Sequence, residues 1–235
     1  TAMMAGNRFG RHCAVPGGLR SAFTPEIIER MRSRLDGYYR DLIIALELLF
    51  NAPSVLDRFE HTGRISRENA VKLGLVGVVG RSAGVHCDVR TDFPDDDTMT
   101  PGAGFAFPAF LPANKASGDV WARAMQRYLE IRSSHAFLTG ALERLAQLGG
   151  VPAAAAQQIS TLEPDRIAVQ VVEAWRGELC HAAITGGNGR FRDYKIVDPS
   201  FHNWPGLTLA LRGEEISNFP VCNKSFNLSY CGHDL

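Results

Sequence analysis

Residues 24–50, TPEIIERMRSRLDGYYRDLIIALELLF, decide the fold because they predict one long amphipathic helix. Thr24 is a residue type that caps helices, Pro25 suits the first helical position, and Glu26 complements the positive end of the helix. We expect the helix to end before Pro53, because a proline disfavours helical backbone in the residue before it. Apolar residues recur at helical spacing along this stretch: Ile28, Met31, Leu35, Tyr38, Leu42, Leu46 and Leu49.

A second long helix is predicted from near Asp119 to the glycines at 149–150. Its apolar positions recur at spacings of three and four: Trp121, Met125, Tyr128, Ile131, Leu138, Leu142 and Leu145. Two such helices predict side-by-side packing in a bundle. His135 lies on the same apolar face, where we expect a hydrogen-bonded core histidine.

The segment between the two helices is less regular. Residues 66–74 predict a short helix with Ser66 as its cap and Gly74 as its end. Residues 91–117 are rich in Pro, Gly and Asp, and they predict a long surface loop or a contact with a partner. We expect the acidic run at 95–97 to be solvated rather than a cation site.

The pattern changes after Pro164. Residues 166–185 predict a strand, 186–189 a tight Gly/Asn turn, and 190–200 a second strand, which together form a hairpin. A short helix is predicted at 204–213, and the tail from Glu214 is expected to be irregular.

These patterns predict an α+β fold, mainly helical, with a long-helix bundle and a β-hairpin appendage near the C-terminus. Residues 1–163 form the bundle part with the loop at 91–117. Residues 164–235 hold the hairpin, the short helix and the tail. We expect the two parts to form one structural unit.

Composition excludes several classes of protein. Lys+Arg and Asp+Glu both number 25, so no basic face for nucleic acid is indicated, and a sequence pI near 7.0 suits a subunit of something larger. Five cysteines at wide spacing, without a CxxC, argue against a disulfide framework and against a self-contained zinc or iron–sulfur site. No apolar run approaches the roughly 18 residues needed to span a bilayer.

Four stretches carry a resemblance to a known family. GRISRENAVKLGLVGVVGRSAGVHCDVRTDFP (63–94) resembles a motif of the large subunit shared by respiratory complex I and the membrane-bound, complex-I-related nickel–iron hydrogenases. GDVWARAMQRYLEIRSSHAFLTGALERL (118–145) is similar to the family's GD-x-x-x-R-x-x-x-R helix. Residues 172–207 resemble its E-(A/S)-P-R-G-E-L hairpin and PSFxN turn, and residues 6–18 its G-x-R…R-P-G-G segment. Val78 stands where the family prefers proline.

The resemblance implies a bundle of the nickel–iron hydrogenase large-subunit type. It implies that the N-terminal half of the parent subunit is missing, and with it the first CxxC of hydrogenases or the quinone-pocket residues of complex I. Expected partners are an iron–sulfur small subunit, which would carry the cluster, other complex-I-like subunits and, indirectly, a membrane arm. The expected location is peripheral, at the cytoplasmic side of the inner membrane.

The tail NLSYCGHDL (227–235) bears on nickel. In the hydrogenases of this family two cysteines at this place help to hold the metal, because soft thiolates suit it. Ser229 and Gly232 occupy those two positions, and Cys231 is one residue out of register. We therefore expect neither a metal nor a cofactor in this chain, and a structural tail packed as a strand or loop. His233 is expected to be solvated or hydrogen-bonded.

Arg176 matches the family arginine that lies over the hydrogenase metal site, and it is the candidate catalytic residue. Trp175 replaces the family proline before it. The alternative is a charge-assisted bond that ties the hairpin to the bundle, with Glu173 or Glu178 as acceptor.

Three functions remain open. The first is a complex-I-like or hydrogenase-like redox subunit without nickel, working between NADH or formate-type donors and quinone or protons. The second is an active nickel–iron hydrogenase of the formate hydrogenlyase type. The third is a non-enzymatic scaffold. The fragment alone is expected to be inactive and to expose apolar surface that favours self-association.

Overall fold

The computed structural model describes residues 2–15, 18–93, 110–154 and 161–232. The helices of this part are α1 (Ala2–Ala5), α2 (Pro25–Asn51), α3 (Pro53–Phe59), α4 (Arg67–Lys72), α5 (Gly77–Ser82), α6 (Val89–Asp92), α7 (Val120–Gln147), α8 (Pro199–Ala210) and α9 (Phe219–Phe226). The strands are β1 (Ala14–Val15), β2 (Gly18–Leu19), β3 (Ile167–Ala174), β4 (Gly177–Thr185) and β5 (Phe191–Val197). Short 3₁₀ turns occur at Ala113–Lys115 and Ile216–Asn218.

The chain divides into two compact units. The first contains residues 1–45 and 134–162, and the second contains residues 46–133 and 163–235. The long helices α2 and α7 each contribute residues to both units.

In the first unit, α2 packs against α7 as the apolar spacing predicts. Ile28 on α2 and Leu142 on α7 are buried in one cluster with Phe23. The N-H of Phe23 donates to the carbonyl of Val151 at 2.8 Å, which ties the entry of α2 to the segment after α7. Thr24 caps α2 as expected, since its hydroxyl accepts from the N-H of Ile27 at 3.4 Å.

The first unit also contains an open apolar cavity of about 610 Å³. Methionine and leucine side chains dominate its lining, among them Met31, Leu35, Leu138 and Leu145. Leu138 remains 43% exposed on α7. Apolar surface is therefore open to solvent here, as expected from the sequence.

The core of the second unit joins α4, α5, α8 and α9. Its buried members are aliphatic side chains, one thiol and one aromatic ring: Ile65, Ala70, Leu75, Val79, Ala83, Leu207, Ala210, Cys222, Phe226 and Leu228. Ser66 caps α4 as predicted, because its hydroxyl accepts from the N-H of Asn69 at 3.2 Å. Gly74 ends the helical stretch with a left-handed φ of 64°.

The three-stranded antiparallel sheet has the order β3-β4-β5. The single strand predicted for 166–185 is wrong: this stretch forms two strands, paired from Ile167↔Ile184 to Ala174↔Gly177, with a tight turn at Trp175 and Arg176. Arg-Gly at this point allows the chain to reverse, since Gly177 adopts a φ of 136°. The predicted Gly/Asn turn at 186–189 is confirmed between β4 and β5.

Two further expectations near the C-terminus need correction. The helix predicted at 204–213 begins earlier, at Pro199, because Asp198 accepts from the N-H of Ser200 at 2.8 Å and caps α8. The tail is not irregular from Glu214 onward, since it contains a 3₁₀ turn and then α9. Asn227 ends α9 in the left-handed conformation, with φ 54°.

The predicted loop at 91–117 lies largely outside the described residues, as do the acidic run at 95–97 and His233. Within the described ranges, no helix combines the length and the apolar character that a membrane crossing requires.

Candidate functional site

The tail that follows α9 is fixed by hydrogen bonds to α8. The N-H of Ser229 donates to the hydroxyl of Ser200 at 2.9 Å, and the indole N-H of Trp204 donates to the carbonyl of Ser229 at 3.3 Å. The Ser229 hydroxyl accepts from the N-H of Gly232 at 2.9 Å. Ser229 is therefore occupied in holding a turn of the tail, which has loop rather than strand conformation.

A side chain at Gly232 would be crowded by the ends of two neighbouring side chains. A Cβ atom built on it would lie 2.8 Å from Asp198 Oδ2 and 2.8 Å from Ser229 Oγ. Cys231 is exposed, and its sulfur lies 3.8 Å from the Ser229 hydroxyl. Neither Ser229 nor Gly232, which occupy the positions of the two family cysteines, offers a thiolate. A cysteine at 232 would displace its neighbours. The residues present do not fit a nickel centre held by two thiolates of this tail.

Among the described residues no group of at least three His, Cys, Asp or Glu side chains is arranged to hold a metal. His135, in the first unit, is instead engaged with its neighbours. Its Nε2 lies 3.3 Å from Asp36 Oδ1, and its ring stacks on Tyr39 at 3.7 Å between centroids. His135 is hydrogen-bonded as expected but half-buried rather than part of the core.

Arg176 occupies the tight turn between β3 and β4. Its Nε donates to the carbonyl of Asn227, the residue that ends α9. Neither Glu173 nor Glu178 accepts from it, so the expected carboxylate partner is wrong: Glu173 is bound by Arg81 instead, at 2.8 Å. Arg176 thus ties the sheet to the base of the tail through a backbone carbonyl.

The backbone of this turn is held by α5 and α8. The buried Asn203 on α8 accepts from the N-H of Val76 at 3.0 Å, and its amide reaches the carbonyls of Val76 at 3.3 Å and Arg176 at 3.5 Å. Gly77 makes the close approach possible, because a Cβ there would lie 2.2 Å from the Arg176 carbonyl. The position of Arg176 is therefore set by packing of main chain on main chain.

A buried ion network lies beside the turn. The Arg81 guanidinium contacts Asp88 at 3.0 Å, Glu130 at 2.8 Å and Glu173 at 2.8 Å. Arg90 binds Asp88 with two nitrogens, at 2.8 and 2.6 Å. The network joins α5, α6, α7 and β3, and it orients β3 toward the helices.

Burial shifts the ionisation of this network. Desolvation raises the pKa of Glu173 above its ordinary value, although Arg81 opposes the shift. Burial also acts to raise the pKa of Asp88, but its hydrogen bonds from Arg90 and the charges of Arg81 and Arg90 outweigh burial and hold that pKa below its usual range. Desolvation raises the pKa of the Cys87 thiol to about 11, which makes Cys87 a weak nucleophile at neutral pH.

Two arginines of α7 complete the site. The fully buried Arg123 donates to the carbonyls of Gly118 at 2.7 Å and Gly63 at 3.0 Å and to the Ser225 hydroxyl at 2.8 Å. Arg127 donates to the carbonyls of Arg123 at 3.3 Å and Phe226 at 3.4 Å. Sequence reasoning missed these two arginines. Their signal is the GD-x-x-x-R-x-x-x-R pattern, whose four-residue spacing puts both on one helix face.

The fold and the arginine motif of α7 place the chain with the large subunits of the complex-I and hydrogenase type. The family model described as "Respiratory-chain NADH dehydrogenase, 49 Kd subunit" matches residues 1–166. The chain therefore belongs to the family of the 49 Kd subunit of the respiratory-chain NADH dehydrogenase.

Individual relatives agree with this assignment. The carbon monoxide-induced hydrogenase of Rhodospirillum rubrum is 31% identical over 198 residues, covering 83% of this chain and 50% of the relative. A subunit of the NADH-quinone oxidoreductase of Bacillus mycoides is 32% identical over 194 residues, covering 82% and 48%. The chain thus spans about half the length of these two relatives.

The fold has a counterpart among solved structures. A chain of the membrane-bound sulfane sulfur reductase, an archaeal respiratory membrane complex, superposes with a TM-score of 0.65 at 22% identity. The match covers 89% of this chain and 53% of that one. It supports the mainly helical α+β fold of the large-subunit type.

Proposed function

We propose that the chain is part of a complex-I-like or hydrogenase-like large subunit whose C-terminal tail holds no nickel. In this role it works beside an iron–sulfur subunit, peripheral to a membrane and at its cytoplasmic side. An iron–sulfur cluster on that partner would supply electron transfer between a donor such as NADH or formate and an acceptor near this subunit. With quinone as acceptor, two electrons and two protons yield quinol.

The observation that carries the proposal is the packing at Gly232. The space that a cysteine side chain would need is filled by Asp198 Oδ2 and by the Ser229 hydroxyl. The tail is also tied to α8 and to the β3–β4 turn by hydrogen bonds of Ser229, Trp204 and Arg176. A tail held in this way acts as a structural element rather than as a metal ligand.

Arg176 has a positioning role in this proposal. Its guanidinium keeps the end of α9 against the turn of the sheet, and a cation is favourable there because a helix C-terminus carries partial negative charge. The part of the relatives that this chain does not span would complete the site.

The decisive experiment is metal analysis of the complex purified from its own host. We expect iron from the partner's clusters and nickel at background. Nickel near one atom per subunit would overturn the proposal.

An active hydrogenase is the second candidate, and one observation favours it: the carbon monoxide-induced hydrogenase is 31% identical to this chain. A CxxC in a segment equivalent to the part of the relatives that this chain does not span, together with hydrogen-dependent dye reduction by the complex, would establish this alternative.

A further inference from the structure

Three arginines converge on three consecutive residues at the end of α9. Arg123 donates to the hydroxyl of Ser225, Arg127 to the carbonyl of Phe226, and Arg176 to the carbonyl of Asn227. The arginines come from α7 and from the β3–β4 turn, which are far apart in sequence. The fold therefore concentrates positive charge at one point.

The three arginines differ in how far nearby carboxylates neutralise their charge. Arg123 lies in the field of Asp119 and Glu214. Arg127 lies in the field of Glu130, but one oxygen of Glu130 already accepts from Arg81 at 2.8 Å and from the amide of Gln126 at 2.9 Å. Among the described residues no carboxylate forms an ion pair with Arg127 or Arg176. Two guanidiniums on adjacent carbonyls are thus left with excess positive charge.

The two guanidiniums also have donors to spare. Each guanidinium carries five N-H donors. Arg176 uses only its Nε on a described acceptor, and Arg127 makes two long bonds, at 3.3 and 3.4 Å. Burial lowers the pKa of Arg127 to about 10, and the positive charge of Arg176 acts in the same direction while Glu130 opposes it. An anion between the two side chains would relieve the repulsion and satisfy these donors.

We propose that Arg127 and Arg176 form a binding site for a carboxylate. Planar guanidinium forks match carboxylate oxygens in pairs. The two oxygens of one carboxylate offer an acceptor to each of the two guanidiniums. This site goes beyond the proposed function and does not depend on the absence of nickel.

The test uses the 235-residue protein with sodium acetate as the probe, titrated at constant ionic strength against sodium chloride. Side-chain N-H resonances of Arg127 and Arg176 report binding by NMR in the unsubstituted protein, so the test does not depend on a variant that folds. We expect saturable shifts of these two groups. Arg127→Gln and Arg176→Gln should each lower the affinity for acetate by about tenfold or more, because each removes a charge-assisted pair. Arg212→Gln, at an exposed arginine, is the matched control and should leave the affinity unchanged.

Saturable binding of acetate to the unsubstituted protein would support the proposal. Absence of saturable binding, or tighter binding of inorganic phosphate than of acetate, would overturn it. Nickel content bears on neither result, so this test and that of the proposed function fail independently.

Discussion

Arg81 on α5 and Glu173 on β3 form an ion pair of 2.8 Å with both side chains almost fully buried, at 2% and 4% exposure. Asp88, at 0% exposure, completes the buried pairs of Arg81. A buried ion pair adds little net stability, but breaking it leaves a charge without compensation. Arg81 is therefore the cation on which carboxylates from both the sheet and the helices depend.

We predict that Arg81→Met destabilises the protein by about 3–5 kcal/mol at pH 7, the cost of leaving buried carboxylates unpaired. Urea unfolding followed by circular dichroism measures the change. The matched control is Arg192→Met, whose partner Asp193 is exposed like Arg192 itself, so we expect a change of no more than about 0.5 kcal/mol. Equal losses for the two variants would contradict the buried role of Arg81.

The loss of unfolding free energy at acidic pH should depend on Asp88. Its pKa is lowered in the folded protein, so the unfolded chain takes up this proton first as pH falls. The contribution of Asp88 is complete above the unfolded value of about 3.9 and is lost as pH falls through the folded pKa. We expect the advantage of the unsubstituted protein over Asp88→Asn to shrink below about pH 4. Unfolding free energies from pH 7 to pH 2 measure it, and a constant difference would refute it.

Glu173 should act with the opposite sign. Burial raises its pKa, so the folded protein binds this proton more tightly than the unfolded chain does. Stability from this group is complete below the unfolded value of about 4.3 and is lost as pH rises through the folded pKa. In the same pH series the unsubstituted protein should lose stability from this group as pH rises above about 4.3. The Glu173→Gln variant should not show that loss. A loss that persists in Glu173→Gln would assign that titration to another group.

Much of the fold follows from the sequence because local signals and packing agree. Thr24 and Ser66 cap their helices as predicted, and the apolar spacing of α2 and α7 matches their buried cluster. The turn at Trp175 and Arg176 escapes sequence reasoning, since strand-like residues continue on both sides of it and no Asn-Gly or Pro-Gly pair marks it. The helix α9 escapes it as well, because it is one short helix between turn-forming residues.

The candidate site is predictable in its residues but not in its partners. The motifs point to Arg176, Ser229 and Gly232, and all of them lie at or beside the end of α9. Which acceptor Arg176 selects depends on contacts 51 residues away along the chain. Such long-range pairing is not encoded in local spacing, so only the folded structure distinguishes Glu173 from a backbone carbonyl as the acceptor.

The contact between Gly77 and Arg176 gives a further prediction. Gly77 has φ 62°, and an added Cβ would lie 2.2 Å from the Arg176 carbonyl. Gly77→Ala should destabilise the protein by about 3–5 kcal/mol, from left-handed strain together with overpacking. Gly74→Ala is the control, because Gly74 has φ 64° with nothing within 4 Å, and it should cost only about 1–2 kcal/mol. Thermal unfolding measures the loss of stability in the two variants. Equal losses would show that the β3–β4 turn can shift to make room for the added Cβ.

Restoring the two family cysteines should not restore nickel. In the double variant Ser229→Cys, Gly232→Cys, the new Cβ at 232 would meet Asp198 Oδ2 at 2.8 Å, and the Ser229 hydroxyl that accepts from the N-H of Gly232 would be lost. We expect nickel at background by metal analysis and a loss of stability of about 1–3 kcal/mol from overpacking. Ser229→Cys alone is the control for the lost hydrogen bond and should cost about 1 kcal/mol. Stoichiometric nickel in the double variant would show that only the thiolates are missing, and that the geometry of a metal site persists in this tail.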